Sequence, residues 1–343
     1  MNRPAVSVII ACHDAETVLT RTLDDLRASV FDDFEVVIVD DASSDGTRRV
    51  ATEALTAFNR SLLVELDDNV GVAEARNIAL TRASGKYLWF IDADDRLPTT
   101  ALADLHRAAE QHAADVVFAR AIETDLSLDR VVDIDGLRTD GVHALSLEDV
   151  VSAVVSGEIR GFLWSKLFRR AIVPARPFPA MKSQSDFVGV MTILGEATTF
   201  VAIPEVVYDY VRAGASITSK EGAFERLVTC EAALWALADR RGVTVSPRDR
   251  AFFTGALTLA PGLDSLMRTG AWEHVDRSMV RAQLRRMSLR DLGALARRRR
   301  GAAVKLVLAK SSLPAYSSVY HVSRSARTLM LSGARLVKRR STS

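Results

Sequence analysis

Short apolar runs alternate with amphipathic stretches over the first 120 residues. The runs read VSVIIA, FEVVIV, SLLVEL and KYLWFI, and each has the length of a buried strand. Between them, TVLTRTLDDLRAS, TRRVATEALTAFN and GVAEARNIALTRAS place apolar residues at about every third or fourth position, which is the helical period. Strand and helix therefore alternate, and this order predicts a mostly parallel sheet with helices on its faces, joined by right-handed crossovers.

The regular alternation ends before the middle of the chain. Residues Asp115–Arg120 form one more apolar run, which predicts a fifth strand, and a polar stretch follows over residues 124–141. From about residue 221 the pattern becomes helical and rich in Ala, Leu and Arg. We therefore predict an α/β domain over residues 1–220, with two halves that meet near residue 120, and a helical region over residues 221–343.

Charge is distributed unevenly along the 343 residues. Residues 292–343 contain twelve Lys or Arg and no acid, whereas the other 291 residues contain 33 basic and 43 acidic residues. A basic tail on an acidic body indicates an electrostatic partner for the tail. The acidic body argues against a nucleic-acid-binding protein.

The cysteines and the apolar runs indicate the compartment. Cys12 and Cys230 are too few and too far apart for a disulfide framework, which is typical of a reducing compartment. The first apolar run is followed by HDAE instead of a small-residue cleavage site, so it predicts a strand and not a signal peptide. No uninterrupted apolar run approaches the roughly 18 residues of a membrane-spanning helix. We expect a cytoplasmic protein.

Three acids follow the apolar run Tyr87–Ile91, namely Asp92, Asp94 and Asp95. Because Asp is a poor strand residue, they are expected just past the strand, at the edge where open α/β sheets bind ligands. Crowded carboxylates repel each other unless a cation lies between them, and oxygen ligands suit Mg²⁺ or Mn²⁺. A solvated turn is the alternative, since Asp is also a common turn residue.

A second acidic cluster, VDDASSDGT, ends the second predicted strand. Asp40 or Asp41 could accept hydrogen bonds from a nucleoside base or a ribose. Ser43, Ser44 and Asp45 could instead cap the helix that follows Gly46. Both clusters are predicted at the same edge of one sheet.

Four segments together carry a specific pattern. They read VSVIIACHDAETVLTRTL, FEVVIVDDASSDGT, NVGVAEARNIALTRASGKYLWFIDADD and WSKLFRR. In order and spacing they resemble the family 2 glycosyltransferases, which have the nucleotide-sugar-binding fold called GT-A. The resemblance covers about residues 5–218. It implies an α/β GT-A domain whose residues 1–120 bind the nucleotide sugar and whose residues 121–220 form the acceptor side, followed by a helical extension.

The resemblance also implies roles for particular residues. Asp41 matches the acid that recognises uracil or an equivalent base, and Arg76 matches an arginine near the nucleotide. Asp92 and Asp94 match the DxD pair, whose final acid binds a divalent metal, Mn²⁺ or Mg²⁺, on the donor diphosphate. The implied contacts to the donor are those of Ala11, His13, Asp14, Glu16, Asp41, Arg76, Asp92, Ala93 and Arg212.

Two segments depart from the family pattern. The chain has ACHD, Ala11 to Asp14, where the family usually has Pro, an apolar residue, Tyr and Asn, so that His13 takes the aromatic position. The usual Glu-Asp pair has become Ser185-Asp186. The resemblance implies that Asp186 is the base that deprotonates the acceptor hydroxyl. The alternative is that Ser185 or Asp186 only caps a helix that begins at Phe187.

The function implied by the resemblance is a metal-dependent, inverting transfer of a sugar. The donor is a nucleoside-diphosphate sugar, by family habit a UDP-sugar, and the acceptor is a hydroxyl of an envelope glycan, a polymer or a lipid-linked molecule. The box Gln283–Met287 lacks the Trp of processive synthases, which indicates a non-processive enzyme. The alternative is a binding or scaffold protein of the same fold that has lost catalysis. The oligomeric state is left open.

The C-terminal tail has an amphipathic pattern. The basic face holds Arg324, Arg327, Arg335 and Lys338, and the apolar stripe holds Val319, Val322, Ala326, Leu329, Met330, Gly333, Leu336 and Val337. Such a helix can lie on an anionic membrane surface, which would place the protein on the inner face of the cytoplasmic membrane. A helix that packs on the acidic body or on a partner chain is the alternative.

Overall fold

The computed structural model describes residues 3–126, 130–181, 183–212, 223–269 and 277–320. The chain divides into two compact units. The N-terminal unit consists of Met1–Ser216 and Ala232–Val245, and the C-terminal unit consists of Ile217–Glu231 and Ser246–Ser343. The division at residue 220 stays a prediction.

The N-terminal unit is built on one sheet, which has nine strands within the described residues. They are β1 (Val6–Cys12), β2 (Phe34–Asp40), β3 (Ser61–Glu65), β4 (Tyr87–Ile91), β5 (Val116–Asp125), β6 (Arg130–Asp135), β7 (His143–Leu145), β8 (Lys166–Arg169) and β9 (Phe200–Arg212). The strand order is β3-β2-β1-β4-β8-β5-β9-β7, and β6 pairs with β5. Six strands run in one direction, and β6, β7 and β8 run in the other. The predicted mostly parallel α/β sheet is confirmed.

Helices connect these strands, and the first three of them were predicted from the amphipathic pattern. They are α1 (Leu19–Arg27), α2 (Thr47–Leu55), α3 (Val72–Arg82), α4 (Ala101–Gln111), α5 (Leu147–Ser156) and α6 (Ser185–Leu194). Apolar residues of α1, α2 and α4 pack in one core with the strands, and strand β4 is buried along its whole length. Burial on both faces explains why β4 reads as an unbroken apolar run.

The region after β4 differs from the sequence expectation. The predicted fifth strand extends to Asp125, and strand β6 occupies part of the polar stretch that was predicted to lack regular structure. Residues of β6 are mostly exposed or half-buried, because this strand pairs only with β5. A short polar strand at the periphery of a sheet has no apolar run to reveal it.

The C-terminal unit is helical, as predicted. Helix α7 (Ala223–Arg240) is divided between the two units, and α8 (Pro247–Phe252) leads through a π-helical segment (Phe253–Leu259) into α9 (Ala260–Thr269). Helices α10 (Arg277–Arg286), α11 (Leu289–Arg298) and α12 (Arg300–Ser311) follow, and residues 313–320 are also helical. A separate apolar core holds these helices together, with Leu263, Leu306 and Tyr316 among its buried residues. Among the described residues, no helix combines the length and the hydropathy that a bilayer span requires.

Candidate active site

The ends of strands β4 and β2 form one edge of the sheet, and the polar residues found from sequence lie there. Asp92 directly follows β4, and its carboxylate Oδ1 accepts a hydrogen bond from Arg76 Nη2 of helix α3 at 2.9 Å. Arg76 is largely buried, whereas Asp92 keeps about a third of its side chain exposed. Arg76 and Asp92, which were both predicted to contact the donor, are therefore brought together at the ligand-binding edge of the sheet.

Asp95, the third acid of this segment, has a different environment. It is fully buried, and its two carboxylate oxygens accept hydrogen bonds from Tyr208 Oη at 2.6 Å and from the Val211 amide at 3.0 Å. Burial, together with the negative charges of Asp92 and Asp94, raises the pKa of Asp95 to about 8. Asp95 thus ties the segment of residues 92–95, here called the acidic loop, to strand β9 and is not directed at a ligand.

Tyr208 organises the acidic loop from below. Its hydroxyl donates to Asp95 and accepts the amide of Asp92 at 3.0 Å. Its ring stacks on Trp164, with centroids 4.6 Å apart, and Trp164 stacks in turn on Phe162 at 4.4 Å. Trp164 is buried and packs in the core of the N-terminal unit.

Asp94 is the exposed member of the acidic segment. The protein around it partly shields its carboxylate from water and, with the negative charge of Asp92, raises the pKa of Asp94. Ala93 lies between the two acids with its carbonyl bound by the Thr22 hydroxyl at 2.9 Å, which fixes the backbone of this loop. The neighbouring carboxylates of Asp92 and Asp94 repel each other, and carboxylate oxygens are the ligands that Mg²⁺ or Mn²⁺ prefers.

The protein alone does not complete a cation site. Within the part of the chain that the structure describes, no group of three or more His, Cys, Asp and Glu side chains is placed to hold a metal ion. Asp92 and Asp94 could hold a cation whose other ligands are phosphate oxygens of a substrate and water, which is the usual manner of Mg²⁺ binding at phosphates. The donor set fits such an ion.

Asp41 holds the loop that precedes helix α3. Its two oxygens accept the amide hydrogens of Val70 at 2.7 Å and Gly71 at 2.8 Å. Gly71 has a φ of 85°, a conformation that favours glycine, and this turn directs α3 and Arg76 toward the acidic loop. Asp40 is also buried, where it pairs with Arg48. Contact of Asp41 with a base stays a prediction.

Residues that were predicted to contact the nucleotide sugar connect the β1–α1 loop to the β2–α2 loop. Asp14 accepts the Ser44 amide at 2.8 Å, and this hydrogen bond lowers the pKa of Asp14. Glu16 accepts the Gly46 amide at 3.0 Å, and a Cβ on Gly46 would lie 2.1 Å from the Glu16 carboxylate. The His13 ring nitrogen Nδ1 lies 2.7 Å from the Asp41 carbonyl, and Ala11 pairs with strand β2. These side chains shape the loop, and their contact with a nucleotide stays a prediction.

Asp186 lies in the first turn of helix α6, which begins at Ser185 and not at Phe187 as the capping alternative assumed. No side chain caps this helix, and Asp186 Oδ1 accepts only the neighbouring Phe187 amide, at 3.0 Å. Burial raises the pKa of Asp186, the positive charge of Arg76 opposes this effect, and the negative charge of Asp92 adds to it. The charges of Arg76 and Asp92 both act on Asp186, which therefore lies at the same site.

Close packing positions the start of α6. A Cβ on Gly189 would lie 2.3 Å from the Phe178 ring, and a Cβ on Gly161 would lie 2.5 Å from Phe187, so both glycines permit the approach of α6. Asn77 of α3 binds the backbone of Phe178 in both directions, at 2.8 and 3.2 Å. The same helix that carries Arg76 therefore also supports the element that carries Asp186.

Lys166 and Asp135 form a buried ion pair, and the charge of Asp186 acts on Lys166. Lys166 and Asp135 are both almost fully buried, and Lys166 Nζ donates to Asp135 Oδ2 at 2.8 Å and to the Phe162 carbonyl at 2.7 Å. Burial lowers the pKa of Lys166, while the negative charges of Asp135 and Asp186 raise it. The Lys166 amine is thus enclosed by the protein and held by Asp135.

The remaining predicted residue, Arg212, lies at the end of β9. Its guanidinium pairs with Glu123 of β5 at 2.8 Å and is half exposed. A phosphate contact by Arg212 stays a prediction.

Of the predicted tail stripe, only Val319 belongs to the described residues. The other predicted tail residues lie outside them, namely Val322, Ala326, Leu329, Met330, Gly333, Leu336 and Val337, with the basic residues Arg324, Arg327, Arg335 and Lys338.

Sequence reasoning missed the residues that support this site. Tyr208 was not singled out, and Asn77 appeared only within the segment NVGVAEARNIALTRASGKYLWFIDADD. Asp135 lies in the polar stretch where no structure was predicted. Their partners are about 30 to 116 residues away along the chain, so no local pattern identifies them.

Comparisons with known proteins agree with this geometry. Residues 7–135 match the family model described as glycosyl transferase family 2. The Bacillus subtilis protein EpsH is 30% identical over 175 residues, which are 51% of this chain and 50% of EpsH. The GalNAc(5)-diNAcBac-PP-undecaprenol beta-1,3-glucosyltransferase of Campylobacter jejuni is 28% identical over 177 residues, 51% of this chain and 55% of that protein. The chain thus spans about half the length of these relatives.

Among solved structures, residues 1–349 of Staphylococcus aureus TarS in complex with UDP-GlcNAc superpose with a TM-score of 0.62. The sequences are 19% identical, and the match covers 94% of this chain and 92% of that chain. TarS is a poly(ribitol-phosphate) beta-N-acetylglucosaminyltransferase. At this identity the match shows a shared fold.

Proposed function

We propose that the protein transfers a sugar from a nucleoside-diphosphate donor to a hydroxyl acceptor; the match of residues 7–135 to the glycosyl transferase family 2 model and the shared GT-A fold support this proposal. The observation that carries this proposal is the convergence of three charged groups from separate elements. Arg76 pairs with Asp92, and the charges of both act on Asp186. The action of both charges on Asp186 supports the proposal that a carboxylate able to accept a proton lies near the residues that would bind the donor.

Asp92 and Asp94 would hold Mg²⁺ or Mn²⁺ at the donor diphosphate. A cation bound there neutralises the negative charge that develops on the departing diphosphate. Tyr208 and Asp95 keep the acidic loop in place, since the buried Tyr208 hydroxyl bonds both Asp95 and the Asp92 amide. Arg76 restrains the Asp92 side chain through the hydrogen bond to its Oδ1.

Asp186 would act as the general base. An alcohol is a weak nucleophile until its proton is accepted, and a carboxylate with a raised pKa is a better acceptor than an ordinary one. In an inverting reaction, the deprotonated hydroxyl attacks the anomeric carbon opposite the diphosphate, a new glycosidic bond forms, and the bond to the diphosphate breaks. The proton of the hydroxyl goes to Asp186.

The relatives support a coarse assignment of substrates. TarS binds UDP-GlcNAc, and the names of TarS and of the Campylobacter enzyme describe acceptors of the bacterial envelope, a phosphate polymer and a lipid-linked glycan. We propose a UDP-sugar donor and an envelope polymer, glycan or lipid-linked acceptor for this chain. A single, non-processive transfer is proposed because the processive box is incomplete.

The test is a donor panel on the purified full-length protein. UDP-, GDP- and dTDP-sugars are incubated with Mn²⁺ or Mg²⁺, and release of the nucleoside diphosphate is measured with and without extracted envelope acceptors. We expect turnover with a UDP-sugar and its loss in EDTA. No turnover of any donor, combined with calorimetric binding of UDP, would support the alternative of a binding protein that has lost catalysis.

We propose in addition that the basic tail brings the protein to the inner face of the cytoplasmic membrane. Residues 321–343 contain six Lys or Arg and no acid, and each basic group near an anionic surface contributes about 1 kcal/mol. Lys305 takes no part, because it pairs with Asp264.

Sedimentation with vesicles that contain anionic lipid tests the tail. Full-length protein is compared with a chain that ends at Tyr320, which keeps the buried residues Leu306 and Tyr316. We expect only the full-length protein to sediment at low salt. Equal sedimentation of both chains would remove the tail as the anchor.

A further inference from the structure

The C-terminal unit contains a cavity that the proposed transfer does not use. It has a volume of about 540 Å³, within the range of small-molecule sites, and it lies between helix α10 and the end of helix α12. Its lining consists of Arg281, Leu284, Arg285, Ala309, Lys310, Ser311, Ser312, Leu313 and Pro314. Three of these nine residues are cationic and none is acidic.

Among the described residues, no carboxylate compensates the charge of this cavity, since none pairs with the guanidinium of Arg281 or of Arg285. Arg281 and Arg285 lie four residues apart on one face of α10, where like charges repel each other. Three described acids of this unit have other partners: Asp249 pairs with Arg298, Asp264 pairs with Lys305, and Asp291 accepts a hydrogen bond from Ser288.

Lys310 gives the cavity a fixed positive group. Its Nζ donates to the carbonyls of Leu284 and Met287, both at 2.8 Å, at the C-terminal end of α10. These bonds hold the amine between α10 and α12 and leave one N–H for a ligand. The hydroxyls of Ser311 and Ser312 line the same space.

A second cavity of about 290 Å³ adjoins the first and shares Arg281, Leu313 and Pro314 with it. Met267 adds an apolar wall to this second space. The first cavity therefore offers donors for an anion, and the second offers room for the group attached to it.

We propose that this cavity binds the phosphate group of a phosphate ester, with Arg281, Arg285 and Lys310 as its donors. One guanidinium group can donate two parallel hydrogen bonds to two oxygens of a phosphate. Such charge-assisted hydrogen bonds are strong. The site is separate from the acidic loop of the N-terminal unit, and binding requires neither a donor sugar nor transfer.

Calorimetry on the full-length protein tests this site with inorganic phosphate, octyl phosphate and neutral octyl glucoside. The double variant Arg281→Gln/Arg285→Gln should lose affinity for octyl phosphate by roughly 10-fold or more. The matched control is Arg290→Gln/Arg297→Gln, which removes two exposed charges of α11 outside the cavity and should bind as the wild type does. Both variants alter exposed side chains, and circular dichroism checks that they fold.

Two comparisons complete the experiment. Tighter binding of octyl phosphate than of inorganic phosphate identifies a lipid-type ester as the source of the phosphate, and equal binding identifies the phosphate group alone. Equal weakening by both double variants, or binding of octyl glucoside as tight as that of octyl phosphate, would overturn the site. A protein that fails in the donor panel but shows the expected losses here would keep this site and lose the proposed transfer.

Discussion

The two units of the chain use charge in opposite ways. The N-terminal unit has 23 basic and 35 acidic residues, a net charge of −12, whereas the C-terminal unit has 22 basic and 8 acidic residues, a net charge of +14. In the first unit, acids gather where parallel strands end, and they either hold loops, as Asp41 and Asp95 do, or face outward, as Asp94 does. In the second unit, cations gather at helix ends, where Lys310 binds backbone carbonyls.

This difference follows from the secondary structure of each unit. The ends of parallel strands meet at one edge, so a few acids from distant segments can share a single site. Helix C-termini leave carbonyls unpaired, and a lysine or arginine satisfies them at each helix separately. A single acid at the strand edge should therefore affect transfer, whereas a single cation at a helix end, such as Lys310, should affect local stability and the proposed phosphate binding but not transfer.

The largest expected effect is on Asp94. Replacement with Ala removes an exposed carboxylate that would hold the cation, so transfer should be abolished while the fold is retained. The assay is nucleoside-diphosphate release, with circular dichroism as the check on folding. Asp68→Ala, which removes another exposed acid of the same unit, is the control and should stay active. Full activity of Asp94→Ala, or of the wild type in EDTA, would contradict the cation assignment.

Asp186→Asn should lower turnover by roughly 10²- to 10⁴-fold, because the amide keeps the size of the carboxylate but accepts no proton. Donor binding, measured by calorimetry with UDP, should change little. If UDP binding is lost instead, Asp186 belongs to the nucleotide site. Near-normal turnover would show that the base lies elsewhere.

The pH dependence of transfer should follow the same residue. Only ionised Asp186 accepts a proton, and burial raises its pKa above the ordinary value of 3.8, so the rate should fall with decreasing pH through a midpoint above 3.8. Because the charge of Arg76 opposes this rise, Arg76→Gln should move the midpoint to higher pH. If Arg76→Gln leaves the low-pH midpoint of the transfer rate unchanged, the charge of Arg76 does not act on the base, and the assignment of Asp186 is contradicted.

Asp135→Asn should destabilise the N-terminal unit. The change leaves the buried charge of Lys166 without its partner, and the free energy of unfolding should fall by about 3–5 kcal/mol. Denaturation with urea measures this loss. Asp133→Asn, which removes a more exposed ion pair with Arg120 on the same strand, should cost about 1 kcal/mol or less. Equal losses would mean that burial does not distinguish the two pairs.

The smallest effect is expected in the C-terminal unit. Lys310→Met keeps the apolar stem but removes the hydrogen bonds to the carbonyls of Leu284 and Met287, so the unfolding free energy should fall by about 1–2 kcal/mol. Transfer by the folded protein should be unchanged. A loss of transfer comparable to that of Asp186→Asn would break the division of roles between the two units.

Much of the fold and part of the site could be predicted from local patterns. The alternation of strand and helix predicted the parallel sheet, and the placement of Asp after apolar runs predicted that Asp41 and Asp92 lie at strand ends. Strand β6 was missed because it is polar and peripheral. The start of α6 was misplaced by two residues, because Gln184 before it has a positive φ and no capping side chain.

The sequence alone indicated where strands β2 and β4 end, since these ends follow from the length of the apolar runs. Which acid is available depends on the tertiary structure. Asp94 and Asp95 are neighbours of the same residue type, yet Asp95 is buried against Tyr208, 113 residues away, whereas Asp94 is exposed. Likewise, Asp186 reaches Arg76 and Asp92 because Gly189 lets α6 pack closely on Phe178. Periodicity is a local property, but the distance between remote side chains is set by the packing of whole elements.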